Sequence, residues 1–381
     1  MHSQIVYLDN NATTRPFPEV VAAVTRSLES DWANPSSPHG FGQAAARTVA
    51  LSREQVARLL GVRAEQVIFT SGATEANEAV LRYHATLGAT LITSTAEHPA
   101  VAGFYFRHMP QKVRTVPLNK SGRWRLDALE SVLEAVSGPK LIALAWANGE
   151  TGVLQDLTAI KLMAQKYCAV CLIDASQAVG RVVFEADSVS YLTFSGHKLH
   201  GPKGIGILIQ PETVPQVEVL IGGGQERGLR GGTLNVSGIV GLGVACELRK
   251  RNLDSAIARM GRLRDSFEKQ VITAIPDVRV NGSDTLRVPN TASLTIQGID
   301  GMALVARLEA RGIICSQVSA CSSGQPEPSR TLLAMGLSRD DAYASLRIAF
   351  AVDTKEDDVD FAAQTMVEEA LFLREMMGGL V

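Results

Sequence analysis

The 381-residue chain has no surplus of either charge: 37 lysines and arginines stand against 39 aspartates and glutamates. A protein held to nucleic acid mainly through phosphates needs a basic surplus on some face, so no direct nucleic-acid partner is expected. No apolar run approaches the ~20 residues of a membrane span, so no membrane partner is expected either. The opening Met1-His2-Ser3-Gln4-Ile5 shows nothing of the charged, apolar and small-residue succession of a secretory leader. Five cysteines in such a length do not make a disulfide framework. Low-complexity tracts, fixed-period repeats and the G-x-x-x-x-G-K-[ST] of a P-loop ATPase are also missing. An α/β-sized protein remains, expected in the cytoplasm, with 46% apolar residues to fill a sizeable core.

What is present is a rhythm. Val67-Ile68-Phe69 reads as a strand leading into a helix over 75–83. Residues 90–93, 141–147 and 170–173 read as further strands, and Asp156 can cap a helix with Leu157, Ile160, Met163 and Tyr167 on one face. Strands alternating with helices predict a mostly parallel sheet covered on both sides. Two long helical patterns, 235–250 and 254–275, break the rhythm. After them come a strand at 291–296, a helix from Asp300 ended by Gly312, a strand at 346–351, and a last helix with Thr354 as N-cap. The division expected is a large domain over 15–254 and a small one made of 1–14 and 255–381.

Two tempting motifs carry little. Gly40-Phe41-Gly42-Gln43-Ala44-Ala45 matches G-x-G-x-x-A but follows a turn cluster and no strand, so it reads as a loop entering a helix. Cys168-Ala169-Val170-Cys171 has C-x-x-C spacing but no second pair at zinc spacing, so it reads as two packed cysteines, and no metal is expected.

Other signals are sharper together than apart. Thr70-Ser71-Gly72-Ala73-Thr74-Glu75 joins a strand to a helix with small residues, which suits an anion cradle or ordinary helix capping. Asp174 ends an apolar strand, where it could cap the next helix or hold a ligand's positive charge. Lys198 follows a strand and is hemmed by Gly196, His197 and Pro202. A lysine desolvated beside other cations becomes an amine nucleophile able to form a Schiff base. Cys321 sits in a loop of small residues, whereas Cys315 follows Gly312-Ile313-Ile314 and should be packed. A phosphate cradle, a strand-end carboxylate and a strand-end lysine are what pyridoxal phosphate requires, and in a parallel sheet they would share one edge.

Over nearly its whole length the chain resembles the pyridoxal-phosphate cysteine desulfurases of the NifS/IscS type, in the class V aminotransferase family. The matching segments include Tyr7-Leu8-Asp9-Asn10-Asn11-Ala12-Thr13-Thr14, Glu97-His98-Pro99-Ala100-Val101, Ser195-Gly196-His197-Lys198, Gly223-Gly224-Gln225-Glu226-Arg227-Gly228 and Ser319-Ala320-Cys321-Ser322-Ser323. The resemblance implies a fold-type-I transferase: a large domain with a mostly parallel sheet of seven strands between helices, and a smaller C-terminal α/β domain. It implies a homodimer that converts L-cysteine to L-alanine and passes sulfur to an acceptor or scaffold protein, in iron–sulfur cluster assembly or another sulfur-transfer pathway. Lys198 would anchor pyridoxal phosphate. His98 would stack on its ring and shuttle a proton, Asp174 would pair with the ring nitrogen, and Gln177 would bond the ring hydroxyl. Ala73, Thr74, Ser195 and His197 would hold the phosphate, with Thr233 reaching in from a second subunit. Arg347 would bind the substrate carboxylate, and Cys321 would accept the sulfur.

The chain departs from the family in places. Asn148-Gly149-Glu150 stands where relatives read Asn-Asn-Glu, which leaves Asn148 as the remaining amide near substrate. Gln317-Val318 replaces the Ser-Gly that commonly precedes Ser-Ala-Cys, and the segment between Cys315 and Pro326 is similar to the longer-loop group. The end at Gly378-Gly379-Leu380-Val381 lacks the tail by which some housekeeping members dock an iron–sulfur scaffold. Rival readings are a selenocysteine lyase or aminotransferase-like enzyme on the same fold, and a non-catalytic partner with a degenerate cofactor site.

Overall fold

The computed structural model describes residues 5–183, 191–317 and 327–378. Its largest sheet has seven strands, in the order Val67–Thr70, Gly206–Ile209, Tyr191–Ser195, Val170–Asp174, Lys140–Ala145, Thr90–Thr93, Val113–Thr115. Only Gly206–Ile209 runs against its neighbours; the other pairings are parallel. Val67–Thr70, Thr90–Thr93 and Gly206–Ile209 are buried along their whole length, as expected where helices cover both faces.

The two faces follow from the period of two. Ile68, Leu141, Ala143, Leu172 and Leu208 point to one side, under the helices Ala73–Thr86 and Pro99–His108. Phe69, Phe194 and Ile207 point to the other, under Gly40–Leu60 and Val236–Arg251. On that same side, Ile142, Leu144 and Ile173 meet Leu126–Ala135 and Leu157–Lys166. Asp156 does cap the last of these helices, accepting the Ala159 amide at 3.0 Å.

A second core gathers Val6, Leu8, Phe267, Leu294, Leu304, Ile348 and Met366. It lies on an antiparallel four-stranded sheet, in the order Ser316–Gln317, Ser345–Ala349, Thr291–Ile296, Val278–Val280. The N-terminal strand Val6–Tyr7 pairs in parallel with Ile313–Ile314. Burying Val6 and Leu8 is worth about 1.5–3 kcal/mol each, which holds the opening residues to this unit. The helix Arg330–Ala334 leans the other way: Leu332 joins the core beneath the large sheet.

Three local expectations need correcting. Gly40 to Ala45 is the first turn of a helix that His39 caps, its Nδ1 accepting the Gly42 amide at 3.2 Å. Cys171 is buried but Cys168 is exposed, because the chain turns there through a left-handed residue, φ 51°, to enter its strand. Thr354 does not cap the last helix, which begins at Glu356; its hydroxyl accepts the Ala351 amide at 2.9 Å. No helix among the described residues is long and apolar enough to cross a membrane.

Candidate active site

Three strand ends build the site. Strand Val67–Thr70 hands the chain through Ser71 and Gly72 to the helix Ala73–Thr86, Val170–Asp174 stops on its carboxylate, and Tyr191–Ser195 runs into the turn Gly196–Lys198. These strands run the same way, so their carboxyl ends share one edge, where ligands of such sheets bind. They border a cleft of about 630 Å³, within the ~300–1,000 Å³ usual for small-molecule sites. Ala73, Thr74, His98, Asn148, Asp174, Gln177, Ser195, His197, Lys198 and Arg347 all line it.

The cradle depends on close backbone approach. A Cβ at Gly206 would lie 2.4 Å from the Gly72 Cα, so only glycine lets that strand pass beside the helix entrance. The Ala73 amide donates to Ser195 Oγ at 2.9 Å, which brings a hydroxyl to a helix N-terminus. Asp174 is buried. Its Oδ1 accepts the Ser176 amide and its Oδ2 accepts Asn77 Nδ2, both at 2.9 Å. Asn77 is itself held by the Thr193 hydroxyl at 2.6 Å, so the carboxylate has a fixed direction.

The Lys198 amine donates to the carbonyls of Asn11 and Ala12, the latter at 2.8 Å. Burial, followed by the cations Arg181 and Arg347, pulls its pKa down to about 8, against the pull of Asp174 and Asp9. His98 Nδ1 accepts the Ala100 amide at 3.1 Å, which leaves the ring proton on Nε2. Burial lowers the His98 pKa; Asp174 opposes this and Lys198 adds to it. Burial and the two lysines Lys198 and Lys203 hold His197 down at about 4, its Nδ1 lying 3.1 Å from Thr13 Oγ1.

Arg347, on strand Ser345–Ala349, reaches across to the large sheet. It donates to Asp9 Oδ1 at 2.6 Å and to the Gly149 carbonyl at 3.2 Å. Each terminal nitrogen keeps a further N–H, and the buried Nε has no partner among the described residues. Asn148 lines the cleft, but its Oδ1 is taken by the amides of Glu150 and Thr151, and its Nδ2 faces Thr331 Oγ1 at 3.3 Å. It shapes the turn around Gly149 more than it offers free polar atoms.

Thr233 is exposed and does not line the cleft of its own chain. Cys321 lies outside the described residues. Cys315 is buried, and burial, with Asp9 next, pushes its thiol up to about 12, which makes it a poor nucleophile.

Four contributors escaped the residue-by-residue reading. Asp9 pairs with Arg347. Asn11 joins Lys198 to Thr291 and Asn290. Glu97 accepts the Ala145 amide at 2.7 Å and Trp124 Nε1 at 3.2 Å, and burial, with Asp174 adding, raises its pKa to about 8. Arg181 is buried behind Lys198. The available signal was the polar density of residues 7–14 and the Glu97-His98 pair.

Comparison with known proteins agrees with this geometry. Residues 6–361 match the family model Aminotransferase class-V. A cysteine desulfurase of Trichormus azollae is 40% identical over 379 residues, covering 98% of this chain and 94% of the relative. Among solved structures, a NifS-like protein superposes with a TM-score of 0.89 at 32% identity, covering 97% of this chain and 100% of that one. A structure described as SspA in complex with cysteine gives 0.76 at 28% identity, covering 91% and 99%. The chain therefore belongs to the class-V aminotransferase family and, within it, to the cysteine desulfurases.

Proposed function

We propose that the protein is a pyridoxal-phosphate-dependent cysteine desulfurase that converts L-cysteine to L-alanine and loads the sulfur on Cys321 for an acceptor protein. The observation that carries this is the meeting of Lys198, Asp174 and the Ala73 helix entrance in one cleft. That donor set fits pyridoxal phosphate. An amine of lowered pKa suits carbonyl capture, a buried carboxylate of fixed direction suits a protonated ring nitrogen, and a helix N-terminus with a hydroxyl suits a phosphate. The cysteine in the SspA structure supports the substrate.

The bound cofactor would supply an electron sink for negative charge developing at the substrate Cα. Lys198 anchors the cofactor and, once displaced by substrate, takes the Cα proton at Nζ. Asp174 keeps a proton at the ring nitrogen. His98 shuttles a proton through Nε2, and Gln177 donates to the ring hydroxyl. Ala73, Thr74, Ser195 and His197 hold the phosphate. Arg347 orients the substrate carboxylate with its remaining N–H donors. The Cys321 thiolate attacks the substrate sulfur, so an S–S bond forms as the C–S bond breaks and the alanine skeleton keeps the electron pair.

The separate cores support a large unit over 15–254 and a small one of 1–14 with 255–381, joined across the cleft by the bond from Arg347 to the Gly149 carbonyl. Thr233, exposed on its own chain, suits a homodimer in which it completes the partner's phosphate site. The test is the purified protein with L-cysteine. Visible absorption of bound pyridoxal phosphate, with alanine formed one for one with transferred sulfur, is the expected result. A colourless, inactive protein, or turnover only with selenocysteine or a keto acid, would overturn the reading.

A further inference from the structure

Arg181 is 4% exposed, and among the described residues no carboxylate lies within ion-pair reach of it. A charge taken out of water without a counter-charge is costly, so this guanidinium must be held by other means. It donates to Asn11 Oδ1 at 2.9 Å, to Gln177 Oε1, to the Asn10 carbonyl at 3.2 Å and to the Lys198 carbonyl at 3.3 Å. These partners belong to the cleft wall or adjoin it.

Guanidinium has no acceptor, so Gln177 must turn its oxygen toward Arg181 and its nitrogen away. That nitrogen donates one hydrogen to the Asn11 carbonyl at 3.0 Å. It is also the atom that a Cβ at Gly149 would meet at 3.3 Å, and both residues line the cleft. Among the described residues its second hydrogen has no partner, which leaves it for a ligand. Without Arg181, only the Asn11 carbonyl would still hold the amide in that direction.

We propose that Arg181 is a positioning residue: it turns the Gln177 amide so that a donor faces the cleft, and it ties Gln177, Asn11 and the Lys198 backbone into one unit. This rests on the reading of pyridoxal phosphate as the ligand, whose ionised ring hydroxyl is the acceptor such a donor would select. The same charge helps keep the Lys198 amine neutral. Arg249 and Arg347 are the other cations that act on Arg181, and at the amine Asp174 and Asp9 oppose Arg181 and Arg347.

Two full-length variants separate geometry from charge: Arg181→Met removes both, and Arg181→Lys keeps the charge but loses the fork. The first readout needs no cofactor: the pH midpoint for acylation of Lys198 in the ligand-free chain, followed by peptide mass. It should rise by about one pH unit in Arg181→Met and stay near wild type in Arg181→Lys. The second is the dissociation constant for pyridoxal phosphate, which should weaken about tenfold in both. The loss should shrink when Gln177 is already alanine, because the two residues act as one unit.

Wild-type cofactor binding by folded Arg181→Lys would overturn the proposal, as would an unmoved acylation midpoint in folded Arg181→Met. Should Arg181→Met not fold, the lysine variant alone decides, since a purely structural role does not weaken cofactor binding while sparing both the acylation midpoint and thermal stability. If even the wild type binds no pyridoxal phosphate, the functional reading fails, and the acylation midpoint still judges Arg181.

Discussion

Glu226 offers a sharp test of how the cradle is supported. Its side chain is 1% exposed and receives both terminal nitrogens of Arg53, at 2.8 and 2.5 Å. It also accepts the Phe69 amide at 2.9 Å. Arg53 lies 4.7 Å over the Phe69 ring and donates to the Val67 carbonyl at 2.7 Å. The pair therefore clamps the glycine-rich segment onto the strand that leads to Ala73. Glu226→Ala strands a guanidinium and an amide in a buried site, which costs about 3–5 kcal/mol. The left-handed backbone there, φ 47°, gives alanine no relief. With a urea slope of roughly 3 kcal/mol/M, the midpoint should fall by about 1–1.7 M. Arg53→Met combined with Glu226→Gly removes the stranded charge and relaxes the backbone, so it should lose less than Glu226→Ala. A loss below about 1 kcal/mol in Glu226→Ala, or a double variant worse than that single one, would refute this reasoning.

Lys198→Ala should abolish turnover and leave no borohydride-reducible cofactor; a surviving reducible link would reassign the anchor. Capture of added pyridoxal phosphate by the ligand-free chain should rise with pH through a midpoint near 8, because the lowered pKa frees the amine above that value. A midpoint near the ~10.4 of ordinary lysine would contradict the electrostatics of the site. Arg347→Lys should raise KM for cysteine more than it lowers kcat, since one ammonium cannot serve Asp9 and a carboxylate as a fork does; an unchanged KM would remove Arg347 from substrate binding.

Much of the site was legible because it sits where periodicity changes. Asp174, Ser195 and Lys198 follow apolar strands, and a parallel sheet gathers such ends whatever the rest of the chain does. What was not legible is the pairing of distant side chains. Asp9 and Arg347 are joined over 338 residues of separation, and no local pattern announces it. Arg181 looks in sequence like any solvated cation. Its burial depends on Asn10, Asn11 and Lys198 closing around it.

The local misreadings have equally local causes. Thr354 resembled an N-cap, but the turn before the helix claimed its hydroxyl. Cys168 lay in an apolar context, yet a left-handed turn directs it outward. Asn148 lines the cleft, and its oxygen closes the turn that carries Gly149. In each case a short polar side chain or a single φ angle decided the outcome, and neither is visible to periodicity.

The central claim is sulfur transfer to Cys321, and the most direct measurement is peptide mapping after treatment with L-cysteine and an alkylating agent. One additional sulfur on Cys321, none on Cys315, and alanine in equal amount are expected; Cys315→Ser should keep most activity. In Cys321→Ser the cofactor should still bind and shift its spectrum with cysteine, while alanine release nearly stops. Sulfur on Cys315, or a Cys321→Ser enzyme retaining more than a tenth of its activity, a barrier change under about 1.4 kcal/mol, would contradict the mechanism at its central step.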